Sequence, residues 1–159
     1  MEENGSRIFA NMPTLRQVAV MDREKLTLMA AWTLEGVEGN TPIALDESRH
    51  RLFVGARHPA QLLVLDTATG KTVAKLDTNG DADDLFYDPA NQRIYISCGE
   101  GFIDVIEQQD ADHYKLLERV PTVAGARTST LSVPLNGFYV GVPRRGDQPA
   151  ELRTYRITR

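Results

Sequence analysis

A triplet of the form (Arg/Gly)-apolar-aromatic occurs four times along the chain: Arg7-Ile8-Phe9, Arg51-Leu52-Phe53, Arg93-Ile94-Tyr95 and Gly137-Phe138-Tyr139. Successive copies begin 44, 42 and 44 residues apart. No single small core imposes such a period. A repeat of about 40–45 residues is the signature of the four-stranded blades of a β-propeller. A blade buries its faces only against its neighbours, so stability is a property of the stack.

Aligning the copies predicts the strands. The second unit places them at 41–46, 51–56, 61–66 and 71–76, and the third at 84–88, 93–98, 102–107 and 113–119. The first unit supplies 7–12, 17–22 and 26–32 without an inner strand. The last supplies 129–133, 137–142 and 151–157 without an outer one. Texture agrees with this order. Leu62–Leu65 is continuously apolar, as a strand covered on both faces should be. Residues 71–76 intersperse polar side chains, as a partly solvated outer strand should. The turn at 67–70 carries its own mechanism: Asp66 can accept backbone N–H groups, and Gly70 can take a positive φ. A loose helical period runs from Thr14 to Trp32, but residues 18–22 align position by position with 62–66, which favours strand. The expected fold is all-β: one partial β-propeller domain over 1–159, a fragment of about three and a half four-stranded blades, or half a propeller. Its units fall at 1–40, 41–82, 83–126 and 127–159.

Composition narrows the class. With 42% hydrophobic and 25% charged residues the chain reads as globular. No apolar run reaches the roughly 18 residues of a membrane span, and no export signal opens the chain. The net charge of −4 offers no field for nucleic acid. The charge is uneven, since residues 119–159 hold seven arginines against Asp147 and Glu151. Cys98, the single cysteine, ends an apolar strand and reads as a buried thiol.

The chain resembles the YncE-like, YVTN-repeat β-propeller proteins of bacteria. The resemblance rests on residues 5–11 with 17–22, 50–55 with 63–67, 93–97 with 99–105, and 125–128. It implies a seven-bladed ring about twice this long, of which this chain resembles the C-terminal half, and a periplasmic or exported full-length form. It implies no catalytic motif.

Propeller ligands sit at the mouth formed by the loops that join the second strand to the third and each blade to the next. Those loops hold Asn40, Thr41, Arg57, His58, Asp81, Asp83, Asp84, Glu100, Arg127, Arg144 and Arg145. Asp81, Asp83, Glu100 and Asn40 are oxygen donors of the kind a hard cation takes. Their spacing matches no recognised metal loop, and a turn in which Asp83 or Asp84 caps backbone is the alternative. His58 would need an orienting partner to act as a base or a haem ligand, and none stands nearby in sequence. Arg127 either holds a carboxylate or phosphate in the channel or pairs with the 83–84 carboxylates.

The expectation is a non-catalytic binding or interaction module with its site at Arg57, His58, Asp83, Glu100, Arg127 and Arg144. No catalytic residue, metal or cofactor is assigned. The expected partners are a second copy or a missing half-propeller, together with a small anion or a protein. The alternative is a propeller enzyme, a metal-dependent lactonase-like hydrolase or a quinoprotein-like oxidoreductase, using the same mouth.

Overall fold

The computed structural model describes residues 1–158. Fourteen antiparallel strands form four sheets. The first contains β1 (Arg7–Met12), β2 (Gln17–Asp22) and β3 (Leu28–Thr33). The second contains β4 (Ile43–Asp46), β5 (Arg51–Arg57), β6 (Ala60–Asp66) and β7 (Thr72–Asp77). The third contains β8 (Ala82–Asp88), β9 (Arg93–Cys98), β10 (Phe102–Gln108) and β11 (Tyr114–Pro121). The fourth contains β12 (Thr128–Ser132), β13 (Gly137–Val142) and β14 (Glu151–Arg156). Each sheet is a meander in which chain neighbours pair. The segment with the helical period is strand apart from one 3₁₀ turn, Pro13–Leu15. No helix among the described residues is long and apolar enough to cross a membrane.

The three residues of the repeated triplet point in three directions. The aromatic packs forward. Phe53 and Tyr95 lie in the cores shared with the following sheet, at 5.1 Å between ring centroids from Tyr87 and 5.5 Å from Phe138. The apolar residue packs backward, so Leu52, Ile94 and Phe138 fill the cores shared with the preceding sheet. The arginine straps. Arg7 donates to the Thr67 carbonyl, Arg51 to the Ala111 carbonyl and the Asp112 carboxylate, and Arg93 to the Thr158 carbonyl. Each acceptor follows the third strand of the next sheet. This geometry explains the period: sheet stacking needs one side chain for each direction at the same place in every blade.

The turns repeat as well. Asp22, Asp66 and Asp110 each accept two backbone N–H groups of the turn that follows the third strand. Gly70 takes φ +72° in that turn, whereas its counterpart Leu26 takes φ +53°. β2 and β3, β6 and β7, and β10 and β11 slip register at Val20/Met21, Val64/Leu65 and Val105/Ile106, one bulge in each of the three sheets that have an outer strand. Bulges increase local twist, and repeating one per blade turns every outer strand alike. His113 lies in the turn before β11 rather than in the outer strand expected for it, and its ring contacts Asp110.

Four sheets share three apolar cores: first with second, second with third, third with fourth. No core joins the fourth sheet to the first among the described residues. The molecule is therefore an open arc. Its surface of 8523 Å² exceeds the roughly 7,900 Å² of a compact monomer of this mass.

Candidate functional site: a charged rim

The loops that follow the second strands and the connections between sheets meet at one end of the arc. Main-chain bonds tie them together. Thr122 N donates to Gly101 O at 2.7 Å, Gly125 N to Gly99 O at 2.7 Å and Gly99 N to Asp81 O at 2.9 Å. A Cβ on Gly99 would meet the Asp81 carboxylate at 2.1 Å, so only glycine lets that carboxylate lie across the loop.

On this frame sit two arginines and two aspartates from three sheets. Arg57, at the end of β5, bonds Asp83 at 2.7 Å and lies 3.5 Å from Asp81. Its Nε also donates to Ala82 O at 3.0 Å. Arg127, just before β12, bonds Asp81 at 2.5 Å and lies 3.4 Å from Asp83. The hydrogen bond to Asp81 holds the Arg127 guanidinium further above its ordinary range. The four charges balance. An external anion at Arg127 would have to compete with Asp81.

The other expected residues take separate places. Glu100 accepts from Gly80 N at 2.8 Å and borders the cluster through that loop. Asp84 caps across sheets, accepting from Ser129 N at 2.6 Å. His58 is exposed at the tip of the β5–β6 hairpin and engages Glu38 through its main chain. Its ring has no orienting partner among the described residues. Arg144 is exposed and lies in no ion pair among the described residues. Its neighbour Arg145 places its guanidinium over Gly125. Asn40 departs from expectation. It is fully buried between the first and second sheets, donating to Asn11 Oδ1 and Gln17 O, both at 2.9 Å, so it does not join Asp81, Asp83 and Glu100. Arg16 and Glu38, paired at 3.5 Å, extend the rim into the first sheet and were not singled out in sequence. Their loop positions match those of the chosen residues and were the available signal.

A cleft of about 660 Å³ lies at the opposite end, lined by residues that include Asp46, Glu47, His50 and Tyr87. Two of its carboxylates, Glu47 and Asp46, are committed. Glu47 accepts from Glu3 N and Asn4 N, at 2.6 and 2.9 Å. Asp46 accepts from Ser48 Oγ at 2.6 Å, Gln108 Nε2 at 3.0 Å and Arg49 N at 3.2 Å. Burial pushes the Asp46 carboxyl up, and these bonds outweigh it and leave the group below its ordinary value. Cys98 is fully buried, and burial pushes its thiol far up.

No known family profile matches the chain, and no curated protein does. Solved structures do. Hydrazine synthase of Kuenenia stuttgartiensis superposes with a TM-score of 0.84 at 14% identity, covering 97% of this chain and 44% of that one. A chain of the mitotic checkpoint complex superposes with a TM-score of 0.74 at 15% identity, covering 86% of this chain and 43% of that one. Both neighbours are β-propeller folds. The fold is a β-propeller arc. At these identities the likeness shows the fold alone, and the arc spans less than half the length of each neighbour.

Proposed function

We propose that this arc is a non-catalytic interaction module of the YncE-like, YVTN-repeat kind, and that it meets its partner at the charged rim. The observation that carries the reading is the Arg57–Asp83–Arg127–Asp81 cluster. Side chains from three sheets converge there while 26–40% exposed, so the surface is polar, rigidly framed and open to a partner. Both aspartates are already bonded to guanidinium groups, which suits recognition better than proton transfer. The partner's chemistry follows from the exposed guanidinium edge: a carboxylate or phosphate, free or on a protein, that shares Arg127 with Asp81. Forked guanidinium contacts to such groups are strong and directional. The two neighbours carry the names of an enzyme and of an assembly, so fold alone favours neither class.

Calorimetric titration with inorganic phosphate and with succinate tests this reading. Saturable binding is expected for one of the two. Arg127→Ala should weaken it by about 1.5–3 kcal/mol, the value of a charged hydrogen bond. Arg153→Ala, in β14, should leave it unchanged. Absence of saturable binding, or equal affinity in the Arg127 variant, would remove the rim from the binding surface.

A further inference from the structure

We infer that the two terminal sheet faces form a head-to-tail junction between two copies of this chain, closing a ring of eight sheets. The argument starts from register. In β1, β5, β9 and β13 the second residue faces backward and the third faces forward. Ile8 therefore corresponds to Leu52, Ile94 and Phe138, and Tyr139 corresponds to Phe9, Phe53 and Tyr95. The backward face is filled by another sheet three times and the forward face three times, always by each other. The two faces left open are one of each kind.

The open backward face matches the filled ones in chemistry, and the open forward face keeps their aromatic and one leucine in a more polar setting. The open backward face of the first sheet carries Ile8 opposite Met21 and Ala10 opposite Ala19. The corresponding pairs in the second sheet are Leu52 opposite Leu65 and Val54 opposite Leu63, all buried. The open forward face of the fourth sheet carries Tyr139 between Thr130 and Thr154, and Gly141 between Thr128 and Leu152, with Leu152 70% exposed. Within the chain, Tyr95 stacks on Phe138 at 5.5 Å. Translated by one sheet, the same contact sets Tyr139 of one copy on Ile8 of the next. The backward face is the apolar one of the two, and large open apolar faces are uncommon on soluble monomers.

Closure follows from symmetry. A heterologous contact ends in a ring when the rotation closes, and two copies of four sheets give eight, within the four to eight blades usual for propellers. The junction lacks an arginine strap, because Gly137 stands where Arg7, Arg51 and Arg93 stand in the other sheets. It depends on Tyr139 and Leu152 meeting the apolar backward face and is expected to respond to concentration.

The test uses the full chain and two charge variants, Ile8→Glu and Tyr139→Arg. Light scattering at tens of micromolar should give twice the chain mass for the wild type. Each variant alone should give the chain mass with its β-sheet circular dichroism retained, because a charge in an apolar junction has no partner. An equimolar mixture of the two should recover twice the chain mass. One of its junctions is wild type on both sides, and the other pairs the new glutamate with the new arginine. A monomeric wild type would overturn the proposal and leave the faces to another partner. A mixture that stays monomeric, or variants that remain dimeric alone, would overturn the head-to-tail geometry. Open-ended oligomers would overturn closure.

Discussion

At the residue scale, the most consequential polar group is Asp46. It is buried, yet its oxygens take bonds from Ser48, Gln108 and the Arg49 N–H. Gln108 is also fully buried and also meets Tyr87 and Tyr114, so one carboxylate anchors a polar knot between the second and third sheets. Burial raises the Asp46 pKa and these bonds lower it further, leaving it below the ordinary 3.8. A carboxylate depressed in the folded state contributes stability that is complete above its unfolded pKa and is lost as pH falls through the folded value. The window therefore lies below about pH 4. Glu2 and Asp66 are depressed in the same direction and share it. Thermal midpoints measured from pH 6 to pH 2.5 should fall steeply below pH 4 in the wild type and less steeply in Asp46→Asn. Equal slopes would show that the knot does not depend on the charge.

At the element scale, the β6–β7 hairpin shows how a local turn becomes a tertiary contact. Asp66 organises the turn by accepting from Ala68 N and Thr69 N, and Gly70 takes φ +72°. A Cβ on Gly70 would stand 2.3 Å from the indole of Trp32 on β3, so the hairpin backbone lies against the outer strand of the preceding sheet. Gly70→Ala combines a left-handed penalty of about 1–2 kcal/mol with displacement of the indole. We expect a loss of about 2 kcal/mol or more in urea unfolding; a loss under 0.5 kcal/mol would refute the contact. The turn was legible in sequence because all its parts lie within five residues. Strand positions were legible for a related reason, since the triplet and the aspartate recur with the blade. The boundaries that moved have local causes. β3 begins at Leu28 rather than residue 26, because the Asp22 turn extends through Leu26 in the left-handed region. β8 begins at Ala82 by absorbing a bulge between Ala82 and Asp84. The rim was less legible. Asp81 and Asp83 lie 24 and 26 residues from Arg57, and 46 and 44 from Arg127, so their choice of partner depends on how three sheets stack. Sequence placed these residues in corresponding loops and offered a pairing of Arg127 with the 83–84 carboxylates, but it did not show that Asp81 is the shorter contact or that Arg57 joins the same cluster. Asn40 was misplaced because loop position alone does not show that a side chain turns inward to bond Asn11 and Gln17.

At the scale of the whole molecule, four sheets stack through three cores, with a backward face open at one end and a forward face open at the other. Packed sheets lie about 10 Å apart, so a bismaleimide of matching reach can read which face meets which. The double variant Ile8→Cys/Tyr139→Cys carries one thiol on each open face. Native Cys98 stays out of the reaction, being fully buried with its thiol pushed far up. The wild type should accordingly take up no maleimide until it is unfolded. In the double variant, the cross-linker should join two chains into a species of twice the chain mass. Efficient cross-linking within a single chain would contradict the account, because it would require the fourth sheet to close directly on the first.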